Sequence, residues 1–158
     1  MPDMLVKLYT LPEAGPLLAR LDGEGVEVRR ALAPEKERVV GWVREQFGGG
    51  WASECEVAFA RQPIGCFIAV TEGKIVGFAC HDATYRNFFG PTGVERAQRG
   101  RGIGQALLLA CLHAMAAQGY AYAIIGGVGP AEFYAKTVGA TLIEDSSPGI
   151  YRGMLSSE

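Results

Sequence analysis

Residues 93–107 read GVERAQRGRGIGQAL, and this stretch decides how the chain is interpreted. Its glycines at 100, 102 and 104 stand directly before the most regular apolar helix pattern of the chain, Ile103–Gln118. Because glycine has no Cβ, several backbone N–H groups can converge on a ligand here. The first N–H groups of a helix lack helical partners and lie at the positive end of its dipole. The stretch therefore predicts a site for a phosphate or pyrophosphate.

Three arginines, Arg96, Arg99 and Arg101, surround these glycines and could add charge-assisted contacts to an anion. The spacing is not that of a Walker-type loop, which needs Gly-Lys followed by Ser or Thr. It is not the dinucleotide fingerprint either, because the third glycine comes one position early and no acidic residue ends a following strand. A simple tight turn would explain the glycines, but three of them with interleaved arginines exceed what a turn requires.

Working outward, apolar periodicity predicts strands and helices on both sides of this stretch. A hairpin is indicated by two β-branched runs joined at Glu72-Gly73. The predicted strands are Leu5–Tyr9, Val26–Arg30, Gly65–Thr71, Lys74–His81, Phe88–Val94, Ala121–Gly126 and a closing pair, Ala140–Glu144 with Ile150–Met154. The other predicted helices are Ala14–Leu21, Ala33–Phe47, Trp51–Ala60 and Pro130–Val138.

The predicted strand Phe88–Val94 is unusual because it contains Gly90, Pro91 and Gly93. Proline cannot donate to a strand ladder, and glycine weakens one. This strand is therefore predicted to be bulged or splayed from a neighbour. The element order indicates a single mixed α/β domain in which strands outnumber helices.

Composition supports one folded domain and excludes several classes. The 158 residues are 49% hydrophobic and 20% charged, which suits a globular core and argues against disorder. A net charge of −2 lacks the basic excess typical of nucleic-acid or membrane-surface binding, so neither partner is expected. The start of the chain has no leader pattern, and the apolar run 106–117 is too short to cross a bilayer. A cytoplasmic protein is expected.

The four cysteines, Cys55, Cys66, Cys80 and Cys111, show no paired spacing and each lies in an apolar run. They are predicted to be buried free thiols rather than a disulfide framework. Neither of the two histidines stands at ligand spacing from a cysteine, so no metal site is predicted.

The pattern Arg99-x-x-Gly102-x-Gly104, preceded by Val94 at a strand end, resembles the acyl-CoA signature of the GNAT superfamily of N-acetyltransferases. Phe133-Tyr134 followed by Gly139-Ala140 is similar to the late aromatic pair and glycine turn of that family. The resemblance implies the GNAT acyl-CoA N-acyltransferase fold, an α/β (α+β) domain over residues 26–158. Its central mixed, mostly antiparallel sheet would be flanked by helices and splayed between its fourth and fifth strands. Residues 1–25 would form a strand-helix extension that covers a sheet edge or makes a homodimer contact.

The resemblance also implies roles for individual positions. The backbone of Gly93 and Val94 would pair with the pantetheine arm of acetyl-CoA, and the Val94 N–H would stabilise the oxyanion that forms from the thioester. Tyr134 would protonate the departing thiolate, and Phe133 would pack beside the cofactor. At Gly127 the family often carries an asparagine that hydrogen-bonds the cofactor. The pyrophosphate would be held by Arg99, Gly100, Arg101, Gly102, Ile103, Gly104, Gln105 and Ala106.

The base that would deprotonate the amine is not decided by the sequence. Glu95 stands nearest in sequence to the presumed reaction centre, and Glu54, Glu56 and Asp82 are rivals. A covalent route through Cys80 is disfavoured, because the adjacent His81 would point to the opposite face of the strand. Trp51, Tyr85, Arg86, Phe88 and Phe89 could line an acceptor pocket or simply form core.

The expected activity is transfer of an acetyl group from acetyl-CoA to a primary amine in a ternary complex, without a metal. The acceptor is a small molecule or a peptide whose identity the sequence leaves open. Two alternatives stay open: a non-catalytic CoA-binding sensor or subunit with the same fold, and a module that binds another nucleotide.

Overall fold

The computed structural model describes residues 1–156, which form seven strands, five α-helices and four short 3-10 turns. The strands are β1 Met4–Lys7, β2 Glu27–Arg30, β3 Cys66–Thr71, β4 Lys74–His81, β5 Phe88–Val94, β6 Tyr122–Ile125 and β7 Thr141–Leu142. The helices are α1 Gly15–Gly23, α2 Lys36–Phe47, α3 Gly49–Phe59, α4 Ile103–Ala117 and α5 Ala131–Val138.

All seven strands belong to one sheet with the order β2-β3-β4-β5-β6-β1-β7. Every neighbouring pair is antiparallel except β5 and β6, which run parallel. The predicted mixed, mostly antiparallel sheet is confirmed. The β3–β4 hairpin is also confirmed: Glu72 (φ 50°) and Gly73 (φ 73°) both take the left-handed backbone that a tight hairpin turn requires.

The sheet opens between β5 and β6, as predicted. These strands pair only through Phe88 with Ile124 and Phe89 with Ile125. The next residues of β5 are Gly90, whose φ of 122° favours glycine, and Pro91, which has no N–H to donate. The two strands therefore separate after Phe89, and a gap begins inside the sheet.

Helices cover both faces of the sheet. Side chains of β4 alternate, so Phe78 and Cys80 pack in a cluster with α2 and α3, whereas Ala79 packs in the cluster that contains α4. Helix α4 is buried along most of its length, because apolar residues occupy nearly all its positions. This rigid helix fixes the glycine-rich turn next to the opening of the sheet.

The N-terminal strand lies inside the sheet rather than on its edge. β1 pairs with β6 through Met4 and Ile125, and with β7 through Met4 and Leu142. Helix α1 packs its Leu21 into the same apolar cluster as α4. The strand and helix predicted before Val26 are thus present, and β7 rather than β1 forms the sheet edge.

The predicted closing strand pair is wrong. Only Thr141–Leu142 forms a strand there, and residues Gly149–Tyr151 form a 3-10 turn instead of a partner for it. This segment closes on itself instead of pairing with β7, since the Tyr151 N–H donates to the Pro148 carbonyl at 3.1 Å. The C-terminal segment folds over the end of β6, where Tyr151 approaches Gly126. Within residues 1–156, no helix combines the length and apolar character that a membrane span requires.

Candidate active site

A cleft of about 1380 Å³ opens where β5 and β6 separate. Its floor is formed by the end of β5 and the start of α4, and α5 closes one side. Helices α2 and α3 and the C-terminal turn form the other wall. The predicted site residues that line it are Gly93, Val94, Arg99, Gly100, Gly102, Ile103, Gly104, Gln105, Gly127, Phe133 and Tyr134.

The glycine-rich turn presents unpaired backbone amides to this cleft. Gly102 caps α4 in the left-handed conformation (φ 89°), and Gly100 also has positive φ. The amides of Gly100, Ile103, Gly104 and Gln105 have no acceptor in the described part of the chain. Because these N–H groups lie at the positive end of the α4 dipole, the turn has the chemistry of a diphosphate site.

Three predicted contributors are already engaged within the protein. The Ala106 N–H donates to the Gly102 carbonyl at 3.0 Å, and the Arg99 N–H donates to the Arg96 carbonyl at 3.3 Å. The Arg101 guanidinium points away from the cleft and donates to Gln98 at 2.6 Å. Its other nitrogen lies 3.4 Å from a Glu24 carboxylate oxygen on the C-cap of α1. Arg101 therefore stabilises the turn through contacts within the protein and does not face the cleft, whereas the exposed Arg99 side chain lines the cleft.

At the end of β5, some backbone N–H groups face β4 and others face the gap. The Glu95 N–H donates to the Val76 carbonyl at 2.8 Å, so it faces β4. Successive residues of a strand alternate in direction, so Gly93 also faces β4 and the Val94 N–H faces the gap. The expected pairing of the Gly93 backbone with a pantetheine arm is therefore corrected: of Gly93 and Val94, it is Val94 that turns its N–H toward the gap.

Gly93 has a packing role instead. A Cβ built on this residue would lie 2.4 Å from Cζ of Phe47, the last residue of α2. The absence of a side chain lets the Phe47 ring lie against the strand and form part of the cleft wall. Glu95, the first candidate for a base, does not line the cleft.

Tyr134 lies on α5 with its side chain in the cleft wall and only 6% of its surface exposed. Burial raises the pKa of its hydroxyl to about 12, so the group stays protonated at neutral pH. Phe133 and Phe89 pack against its ring with centroid separations of 5.1 and 6.3 Å. A neutral, positioned hydroxyl can act as a proton donor.

Gly127 follows β6 and lines the opposite side of the gap. Its N–H donates to Oδ1 of Asp3 at 2.9 Å, so this amide is not available to a ligand. The N-terminal segment thus occupies the hydrogen-bonding position at Gly127. The missing asparagine side chain is not replaced there by another ligand-facing group in the described residues of this loop, Gly126–Pro130.

The structure distinguishes the three other candidate acids by their positions relative to the cleft. Glu54 on α3 lines the cleft and accepts a hydrogen bond from Thr84, whereas Glu56 on the same helix is exposed away from it. Asp82 is held by the His81 ring at 2.7 Å and by the Tyr120 hydroxyl at 2.8 Å. Of these candidate acids, Glu54 alone lines the cleft.

The cysteines are buried free thiols, as predicted, but three of them meet. The sulfur atoms of Cys55, Cys66 and Cys80 lie within 4.8 Å of one another, from α3, β3 and β4. In the described chain this is the one group of His, Cys, Asp and Glu side chains close enough to hold a metal ion. None of the three lines the cleft. Burial raises the pKa of the Cys80 thiol, which opposes a nucleophilic role.

Two cleft residues escaped sequence reasoning. Phe47 was predicted only as the last residue of the helix Ala33–Phe47, and Tyr151 was assigned to the strand Ile150–Met154, which does not form. No local pattern identifies either one, because both reach the cleft only through the packing of distant segments.

Comparison with known proteins agrees with this geometry. The family model for the acetyltransferase (GNAT) family matches residues 29–139. No curated protein matches the sequence. A GCN5-related glucosamine N-acetyltransferase region of a fungal multi-domain β-N-acetylglucosaminidase aligns with a TM-score of 0.73 at 14% identity, over 90% of this chain and 19% of that one.

Two bacterial structures are also similar. A GCN5-related N-acetyltransferase from Sphaerobacter thermophilus has a TM-score of 0.65 at 22% identity, over 90% of this chain and 48% of that one. The GNAT family N-acetyltransferase YhbS from Escherichia coli, solved in complex with CoA, has a TM-score of 0.54 at 18% identity, over 71% of this chain and 67% of its own. The chain spans less than half the length of the first structures it matches. At these identities the likeness establishes the fold, and the family model matches more than half of the sequence, so this chain belongs to the acetyltransferase (GNAT) family.

Proposed function

We propose that the protein is an acetyl-CoA-dependent N-acetyltransferase that transfers the acetyl group directly to a primary amine. The observation that carries this proposal is that the free amides at the start of α4 and the gap beside β5 adjoin each other in one cleft. The free amides at the start of α4 can hold a diphosphate, and the gap beside β5 leads from them to the Val94 N–H. A narrow arm that ends in a thioester fits this path.

The chain's own groups would then act on a bound thioester in three ways. The turn from Gly100 to Gln105 anchors the diphosphate, which positions the carbonyl carbon for attack. The Val94 N–H donates to the carbonyl oxygen as the amine nitrogen bonds to carbon, and this contact strengthens as negative charge develops. Tyr134 supplies a proton to sulfur as the carbon–sulfur bond breaks, and its own proton is replaced from the reacting amine through water.

Direct transfer is favoured over a covalent enzyme intermediate. The buried thiols lie outside the cleft wall, and no cysteine occurs among the residues that line it. Both substrates must therefore be bound together for the amine to reach the thioester. This reasoning predicts initial-velocity lines that intersect when acetyl-CoA and amine are varied.

The proposal is tested by calorimetry with acetyl-CoA and by an assay of thiol release with a panel of amines. We expect micromolar-range binding and CoA release that depends on the amine, with an intersecting pattern. Parallel lines would contradict direct transfer. Binding of acetyl-CoA without CoA release from any amine would indicate a sensor, and preferential binding of ATP or NAD would refute the acyl-CoA assignment.

A further inference from the structure

Part of the cleft lining has no role in holding the diphosphate, the oxyanion or the departing thiol. This part is formed by Phe47 and Trp51 from α2 and α3, Tyr85 from the loop before β5, and Tyr151 from the C-terminal turn. The Phe47 and Trp51 rings contact each other with centroids 5.2 Å apart. This part of the cleft is therefore an aromatic enclosure.

Exposed apolar side chains concentrate at the mouth of this enclosure. Trp51 is 38% exposed and Tyr85 is 56% exposed, and both line the cleft together with the exposed Ile150 and Met154. Large apolar side chains gathered around one opening are typical of a binding site rather than of an ordinary surface. A ligand with an apolar body would remove this surface from water.

The charge of the cleft is sparse. In the part of the chain that the structure describes, Glu54 and Arg99 are the two charged side chains among the lining residues. Arg99 belongs to the glycine-rich turn, whereas Glu54 lines the cleft from α3, the helix that also supplies Trp51. Thr84 donates to one oxygen of Glu54, which leaves the second oxygen able to accept from an ammonium group.

Tyr151 lies at the end of β6, beside the place where β5 and β6 separate. A Cβ on Gly126, the residue after β6, would stand 2.6 Å from the Tyr151 hydroxyl oxygen. Tyr151 and Glu54 both line the cleft. Burial raises the pKa of Tyr151, and the negative charges of Glu54 and Asp3 raise it further.

We infer that the acceptor is a primary amine with a single positive charge and an aromatic or other apolar body. Its ammonium group is bound by Glu54 and releases one proton to water before the nitrogen attacks the thioester, and the second proton replaces the one that Tyr134 gives to sulfur. This inference rests on the proposed function, since it describes the second substrate of the same cleft. Polycations find no second carboxylate to pair with, and an amino acid would bring its own carboxylate against Glu54. Both classes are therefore expected to be poor acceptors.

The experiment compares 2-phenylethylamine, spermidine and phenylalanine as acceptors at saturating acetyl-CoA, with CoA release as the readout. We expect kcat/KM for 2-phenylethylamine to exceed that of the other two by at least about tenfold, the loss typical of one missing charged hydrogen bond. A preference for spermidine or phenylalanine would overturn the inference and leave the proposed function intact. No release from any of the three, despite tight acetyl-CoA binding, would also overturn the inference; the proposed function would fail with it only if no amine of the wider panel released CoA.

Substitution of Glu54 isolates its role. Glu54→Gln keeps an acceptor for the Thr84 hydroxyl, so we expect a folded protein with unchanged acetyl-CoA affinity and a KM for 2-phenylethylamine raised about ten- to hundredfold. Glu56→Gln is the matched control on the exposed side of α3 and should change neither value. Trp51→Ala should raise the same KM without weakening acetyl-CoA binding. An unchanged KM in Glu54→Gln would overturn the assignment of the ammonium site.

Discussion

Replacing Gly104 by alanine should make the free protein more stable but weaken its binding of acetyl-CoA. Because the two changes have opposite signs, this variant distinguishes a binding defect from a folding defect. Gly104 has no positive φ, and a Cβ at this position would meet only Cγ2 of Val94, at an ordinary 3.8 Å. Alanine fits the free protein, and it favours a helix more than glycine does. We therefore expect the variant to be about 0.5 kcal/mol more stable than the wild type, which corresponds to a rise in Tm of about 1–2 °C.

The same methyl group should weaken acetyl-CoA binding. It would project into the space over the free amides, where the diphosphate must come within hydrogen-bond distance of the Gly104 N–H. Loss of one hydrogen bond to a charged group costs about 1.5–3 kcal/mol, or a Kd raised at least about tenfold. At a ligand concentration 100 times the wild-type Kd, stabilisation by the ligand should fall from about 2.7 to about 1.4 kcal/mol or less.

Thermal unfolding with and without acetyl-CoA, together with calorimetry, measures both effects on one sample. Gly41→Ala is the matched control, because Gly41 lies inside α2, has nothing within 4 Å of its Cβ position and does not line the cleft. This control should also raise Tm but leave the Kd unchanged. If Gly104→Ala binds acetyl-CoA as tightly as Gly41→Ala does, the diphosphate does not sit on these amides and the reasoning fails.

Three further predictions concern chemistry, packing and pH. Tyr134→Phe should lower kcat about 10²- to 10⁴-fold in the CoA-release assay with little change in acetyl-CoA affinity, and an unchanged kcat would remove Tyr134 as the acid. Gly93→Ala should lower the free energy of unfolding in urea by about 1–3 kcal/mol, because its Cβ would collide with Phe47. In a protein that already carries Phe47→Ala, adding Gly93→Ala should cost much less. Hydrogen bonds from Arg29 lower the pKa of Glu35 to about 2, so their stabilisation is complete above pH 4.5 and is lost as pH falls toward 2. Glu35→Gln should flatten that part of the pH–stability curve, and an unchanged slope would contradict the assignment.

The sequence predicted the turn with free amides before α4 because its signal is local. Alternate glycines, a strand end and a strongly apolar helix are all readable within residues 93–107, and they act through neighbouring backbone atoms. The opening of the sheet was readable for the same reason, since Gly90 and Pro91 disturb their own strand. Features that depend on the local backbone can therefore be predicted from this sequence alone.

The directions in which individual residues face were harder to predict from the sequence. Arg101 resembles a phosphate ligand in sequence, but its guanidinium donates to Gln98 and lies near Glu24, and Arg101 does not line the cleft. Gly93 resembles a ligand-binding backbone, but the alternation of the strand turns it toward β4 and Phe47 occupies its open face. Each of these outcomes depends on a partner supplied by another element.

The sequence by itself determined the helix α4, the hairpin, the splayed strand and the row of amides, because each follows from residues that are neighbours along the chain. Only the tertiary structure decided that β1 enters the sheet between β6 and β7 and that the C-terminal segment places Tyr151 beside Gly126 in the cleft wall. It alone brings Glu54 from α3 into the enclosure of aromatic rings. The physical reason is that strand pairing and helix packing join segments more than a hundred residues apart, and no periodicity along the chain encodes which partners they select.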